Sequence, residues 1–145
     1  MFIIQFCYSQ TEQKYRLHEV YSNNSDLNHY LKKKLISIGI HKAIMSALQY
    51  PEEKKFHRFI SLDHDEFIYP TDRSDDYIII EISMFEGRSI HAKKLLIREL
   101  YSNILVQAGI CAQDIEITIF ETPKENWGIR GLPGDELTLG YNVEV

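Results

Sequence analysis

An α+β fold is what this sequence predicts: two duplicated β-α-β units sharing one four-stranded mixed sheet, with two helices on one face. Three observations predict it. Residues 77–83, "YIIIEIS", form a near-continuous isoleucine run, as in a central strand covered on its faces. Two long stretches, about 26–49 and 89–108, carry apolar residues at three- and four-residue spacing. Finally, "GIHKAIMSALQYPEEKKF" lies over "ELYSNILVQAGICAQDIE" at a constant offset of 60, so that Ile44 meets Ile104 and Met45 meets Leu105. Right-handed crossovers then put both helices on the same side of one sheet.

Taken in order, residues 2–9 read as a strand that begins at once. Termini fray unless something holds them, so this strand has a packing or a chemical reason. Residues 10–24 are polar and leave open a short helix or an extra hairpin strand, with "NNS" as a turn. Ser25 is placed to cap a helix whose positions Leu27, Tyr30, Leu31, Leu35, Ile38, Ile44 and Leu48 form one buried stripe. Gly39 weakens it by about 1 kcal/mol relative to alanine, and Pro51 closes it. A strand is expected at about 55–62, then an acidic, aromatic loop, then the isoleucine strand. Ser89 caps the second helix, Leu96, Leu100 and Ile104 share its inner face, and Gly109 ends it. "DIEITIF", 114–120, alternates as a half-buried strand. The tail "ELTLGYNVEV" alternates too, with Leu137, Leu139, Tyr141, Val143 and Val145 on one side, and reads as a one-sided strand to be covered by a partner subunit.

A length of 145 residues fits one domain, 1–145, with a core large enough to fold without disulfides or metals. With 16 basic against 21 acidic side chains, net −5, no nucleic-acid or anionic-membrane surface is expected. One or two arginines still suffice for a small anion. Cys7 and Cys111 read as small buried hydrophobes rather than a disulfide. No apolar run is long enough for a membrane span and no signal peptide is evident, so a cytoplasmic protein is the expectation.

Three stretches can carry chemistry. In "EGRS", Arg88 stands beside a helix start, where a guanidinium and free backbone N–H groups together suit a carboxylate; pairing with a nearby acid is the plain alternative. In "ETPKENWGIRG", Trp127 is either a pocket wall or a core anchor. The third is the start of the chain, where a free α-amine held in an apolar site near a cation would act as a base near neutrality; a docked edge strand explains the same residues. His57 and His64, with Asp63 and Asp65 beside the second, match no familiar ligand spacing and read as part of a solvated acidic loop, so neither metal nor cofactor is expected. Lys32, Lys33 and Lys34 read as the exposed side of the first helix.

These stretches together resemble the tautomerase superfamily, and more narrowly its longer bacterial members with two β-α-β units, relatives of malonate semialdehyde decarboxylase and macrophage migration inhibitory factor. The matching text is "FIIQF", "IHKAIMSAL", "YPEEKKFHR", "RSDDYIIIEISMFEGRSIHAKKLL", "DIEITIFETPKENWGIRG" and "LGYNVEV". The resemblance implies a homotrimer whose C-terminal strands reach across to neighbours. It implies proton shifts between carbon and oxygen in small keto–enol carboxylates, or decarboxylation, with an N-terminal proline as base. Arg88 falls on the position that binds the substrate carboxylate, Trp127 becomes a pocket wall, and Arg73 and Arg130 are further candidates for binding substrate.

Three departures follow from the same comparison. Position 2 is Phe2, not proline, and its bulk is expected to keep Met1 in place, leaving a primary amine one residue early. Lys54 stands where the family more often has an acid, as at its offset partner Asp114. The region 10–31 is longer than the family usually carries and is expected to be an atypical insertion. Two functions remain. One is an isomerase-type enzyme in which the Met1 amine, or a water held by Lys54, Arg88 and their neighbours, moves the proton in place of the proline that Phe2 replaces. The other is a non-catalytic trimeric scaffold that binds a partner.

Overall fold

The computed structural model describes the backbone of residues 2–10, 22–63 and 65–145, and the side chains of 27–63 and 65–145. Four strands form one sheet in the order β2-β1-β3-β4: β1 is Phe2–Gln10, β2 His57–Asp63, β3 Ile78–Phe85 and β4 Ile115–Thr122. β1 is parallel to β2 and β3 is parallel to β4, while β1 and β3 are antiparallel. Helix α1, Ser22–Leu48, joins the first parallel pair, and α2, Ile90–Ala108, joins the second. The duplicated unit read from the sequence is therefore present, with its two halves meeting antiparallel at the centre.

β3 supplies the floor of the core. Ile78, Ile80, Ile82 and Met84 alternate onto the face under the helices and are buried. Ile36, Ile40, Ala43, Ile44 and Leu48 of α1 and Ala92, Leu96, Leu100 and Ile104 of α2 pack on them. At about 25 cal/mol per Å² of apolar surface removed from water, such rows hold the layers together. Gly39 marks where the helices touch. A Cβ there would stand 3.0 Å from the Asn103 carbonyl oxygen and 3.2 Å from Ile104 Cα. The residue that looked like a weak point in α1 is what lets two backbones approach. α2 begins and ends as expected: the Ser89 hydroxyl accepts from the Ala92 N–H, and Gly109 takes the left-handed conformation at φ 72°.

Several expectations need correction. α1 starts at Ser22, so Ser25 lies inside it rather than capping it. Serine and asparagine cost only about 0.5–0.7 kcal/mol each in a helix relative to alanine, too little to stop one. Much of the proposed insertion at 10–31 is thus helix, and residues 11–21 lie outside the described residues. The buried stripe of α1 is shorter than its apolar pattern: Leu27, Tyr30, Leu31 and Leu35 are exposed, at 51%, 63%, 43% and 38%. At about 1.5 Å per residue, this helix outruns α2 and its first turns extend past the shared core. Lys32 pairs with Asp76 and Lys33 donates to Ser61, so the lysine run is partly engaged. Cys111 is exposed, because it sits in the surface turn after α2 rather than in the core.

The tail differs most. Residues 137–145 form no strand. Their alternation is nonetheless kept in burial: Leu137, Leu139, Tyr141, Val143 and Val145 are covered to some degree, while the residues between them are exposed. A strand needs a free edge to pair with; within the protomer the tail is held by other contacts, described below. Before it, Gly128–Ile129 (β5) and Leu132–Pro133 (β6) form a short antiparallel hairpin. Arg130 and Gly131, at φ 52° and 84°, make its turn.

Gly39→Ala tests the helix contact. Helix propensity alone predicts a gain of about 1 kcal/mol. We expect a net loss of about 1–2 kcal/mol instead, because backbone on both sides resists the added methyl group. A lowered Tm shows this; an unchanged or raised Tm contradicts it.

Candidate functional site

The pairing register brings four strand ends together. Phe2 pairs with Met84, Met84 with Glu121, Phe85 with Thr122, and Ile4 with His57. The starts of β1 and β2, the ends of β3 and β4, and the N-terminus of α2 therefore share one end of the sheet. The turn after α1, carrying Tyr50, Pro51 and Lys54, arrives there too.

Arg88 is the buried charge of this end, 5% exposed. Gly87, at φ 119°, turns the chain from β3 into α2 in a conformation that side chains resist, and so aims Arg88 inward. The Arg88 guanidinium donates through Nη1 to the carbonyls of Asn142 (2.9 Å) and Val143 (2.5 Å). The next N–H, that of Ser89, donates to the Val145 oxygen at 2.8 Å. The guanidinium and the helix start do lie together, and oxygens from the chain's own tail occupy them. Burial pulls the Arg88 pKa down, while Tyr141, Tyr50 and Glu121 oppose that shift.

Tyr50, Tyr141, Glu121 and Lys93 were not singled out by sequence reasoning. Tyr50 and Tyr141 meet edge to face with ring centres 4.9 Å apart. Burial is the main cause that raises both phenol pKa values. The Lys54 ammonium stands over the Tyr141 ring, 4.6 Å from its centre. Glu121 ends the inward row Ile115, Ile117, Ile119, Glu121 of β4, and a charge continuing an apolar row is a signal the sequence did carry. Lys93, on the first turn of α2, donates to Glu121 Oε2 at 2.5 Å. Glu121 Oε1 is buried and, among the described residues, has no hydrogen-bond partner.

The remaining candidates separate. Trp127 belongs to this end: its Nε1 donates to Thr122 Oγ1 at 2.6 Å and its ring stands edge-on to Phe85 at 5.2 Å. Arg130 is exposed at the tip of the β5–β6 hairpin. Arg73 is not brought to this end within the protomer. It pairs with Asp72 and Glu116 beside the starts of β3 and β4, where Ser74 donates twice to Asp114 at 2.7 Å. Those two bonds hold the Asp114 carboxyl below its usual pKa. The backbone of Phe2 opens β1 as expected, whereas Met1 lies outside the described residues. His64 also lies outside them, and among the described residues no cluster has the donors to hold a metal ion. His57 lies with Nδ1 2.8 Å from the Ser37 hydroxyl and its ring 6.1 Å from that of His41. No helix of the described residues is long and apolar enough to cross a membrane.

With this geometry in place, comparisons with known proteins are consistent. The family model described as "Tautomerase enzyme" matches residues 54–130. The 2-hydroxymuconate tautomerase of Comamonas testosteroni is 37% identical over 57 residues, covering 39% of this chain and 90% of that protein. The probable tautomerase YusQ of Bacillus subtilis (strain 168) is 26% identical over 97 residues, 63% of this chain and 76% of that protein. Among solved structures, malonate semialdehyde decarboxylase superposes with a TM-score of 0.71 at 16% identity, covering 93% of this chain and 99% of that one. A fused 4-OT, described as an asymmetric trimer, gives 0.69 at 19% identity, covering 92% and 96%. These two likenesses establish the shared fold.

The histidine pair gives a pH prediction. Burial, with His41 and Lys55 adding to it, pushes the His57 pKa down from 6.5 to about 4. A histidine harder to protonate when folded gives stability that is complete above 6.5 and is lost as pH falls toward about 4. Thermal melts across that window are expected to fall less steeply in His57→Gln than in the wild type; parallel curves contradict the assignment.

Proposed function

This chain belongs to the tautomerase family, and from that premise we propose that it moves a proton at the carbon beside a carbonyl, in a small keto or enol substrate bearing a carboxylate. The observation that carries this reading is Arg88, a buried guanidinium at the start of α2, on the end of the sheet where β1 begins. A carboxylate that takes the place of the tail oxygens there would gain charge-assisted hydrogen bonds from the guanidinium and from the Ser89 N–H. Trp127, fixed by Thr122 and Phe85, is the apolar wall of the same end. Arg73 and Arg130 contribute only if a neighbouring subunit brings them, and the working unit in this reading is a homotrimer. Phe2 stands where the family's proline is expected, so in this reading another group takes the proton. The Met1 amine and a water held by Lys54 are two candidates.

One observation favours a second reading, a binding scaffold without turnover. The Arg88 guanidinium already holds the carbonyls of Asn142 and Val143, so it serves the tail as an anchor.

Arg88→Met separates the two. Phenylpyruvate is the probe, with keto–enol conversion followed by absorbance. Loss of a charge-assisted contact worth about 1.5–3 kcal/mol is expected to raise KM roughly tenfold to a hundredfold. A lowered Tm with KM unchanged supports the anchor alone. Phe2→Pro, processed to a free proline, is expected to turn over faster than the wild type. Silence from both proteins removes the enzymatic reading.

A further inference from the structure

Building on the proton-transfer reading above, we propose that Glu121 is the base that removes the proton. Buried polar atoms in native proteins almost always have a hydrogen-bond partner, and an acceptor left without one is costly. Glu121 Oε1 is such an atom. Its partner oxygen is bound by Lys93 of the first turn of α2, which fixes the orientation of the carboxylate. One oxygen is thus held and the other is left to accept.

The position fits the chemistry. Phe2, Met84 and Glu121 lie in one row across β1, β3 and β4. Glu121 is therefore two strand spacings, about 10 Å, from the point where β1 begins. Glu121 is also among the groups whose charge acts on Arg88. A keto acid whose carboxylate takes the place of the tail carbonyls on Arg88 would bring its next carbons toward that end of β4. Among the described residues, four other titratable groups of this end suit the task less. Tyr50 and Tyr141 keep their protons, because burial raises their pKa values. Lys54 is engaged with the Tyr141 ring. The Nδ1 of His57 meets Ser37.

The step balances without a cofactor. Oε1 takes the proton from the carbon beside the carbonyl. The C–H electron pair becomes the enol double bond, and the carbonyl π pair moves to oxygen. That oxygen takes a proton from water, and protonated Glu121 returns its proton to the resulting hydroxide. Ketonisation runs the same path backwards.

The experiment follows exchange of the C3 protons of phenylpyruvate into deuterated water by NMR, in wild type, Glu121→Gln and Glu121→Ala. Glutamine keeps the shape and can still accept from Lys93, so that variant is expected to fold, and its Tm checks this. The expected result is a loss of at least a hundredfold in kcat for Glu121→Gln with KM within a few-fold, as for removal of a general base. Added formate is expected to restore part of the rate of Glu121→Ala, which a purely structural role would not allow. Exchange in Glu121→Gln at the wild-type rate overturns the assignment and leaves the proton-transfer reading standing. Failure of formate to rescue a folded Glu121→Ala also overturns it. No exchange in the wild type overturns both.

Discussion

The burial of Ile80, Ile82 and Met84 beneath two helices that touch at Gly39 sets the position of everything else. β3 has strands on both edges, so its register fixes β1 on one side and β4 on the other. Its apolar face needs cover along its length, and each helix supplies half. Close packing then leaves little freedom in where the helix ends fall. The start of α2 is delivered to the end of β3 by a turn that only Gly87 adopts easily. Arg88 is buried because the core has already placed the two residues before it.

Electrostatics at that end follow from the same arrangement. A helix start and a guanidinium together make a strongly positive corner. Three kinds of oxygen approach it: the carbonyls of the tail, the phenols of Tyr50 and Tyr141, and the carboxylate of Glu121. The Glu121 carboxylate carries a full negative charge, and Lys93 binds it. Buried charges survive when paired, and this end is built from such pairings.

Much of the fold was legible because it rests on local rules. The isoleucine run announced β3, and Ser89 and Gly109 announced both ends of α2, since caps act within a few residues. Gly39 was read only as a helix weakness, because its use depends on Asn103 and Ile104 of another helix. The start of α1 was misplaced since polar residues bend propensity too weakly to mark a boundary. The tail showed its two-sided pattern in the sequence, yet alternation records which side chains face inward and not whether backbone pairs with a strand. Arg88 and Trp127 could be picked out as unusual residues in short motifs. Tyr50 and Tyr141 could not, because they become neighbours only when residues far apart in the chain are folded together.

The anchoring of Arg88 also implies an order of assembly. Its two carbonyl partners lie 54 and 55 residues further along the chain. A ribosome therefore finishes β3, α2 and β4 well before it adds the residues that cover the guanidinium. The sheet can close on its helices while this charge is still hydrated, and its desolvation waits for the tail to dock. A buried arginine is thereby kept out of the early collapse, when an unpaired charge in the core would have obstructed it most.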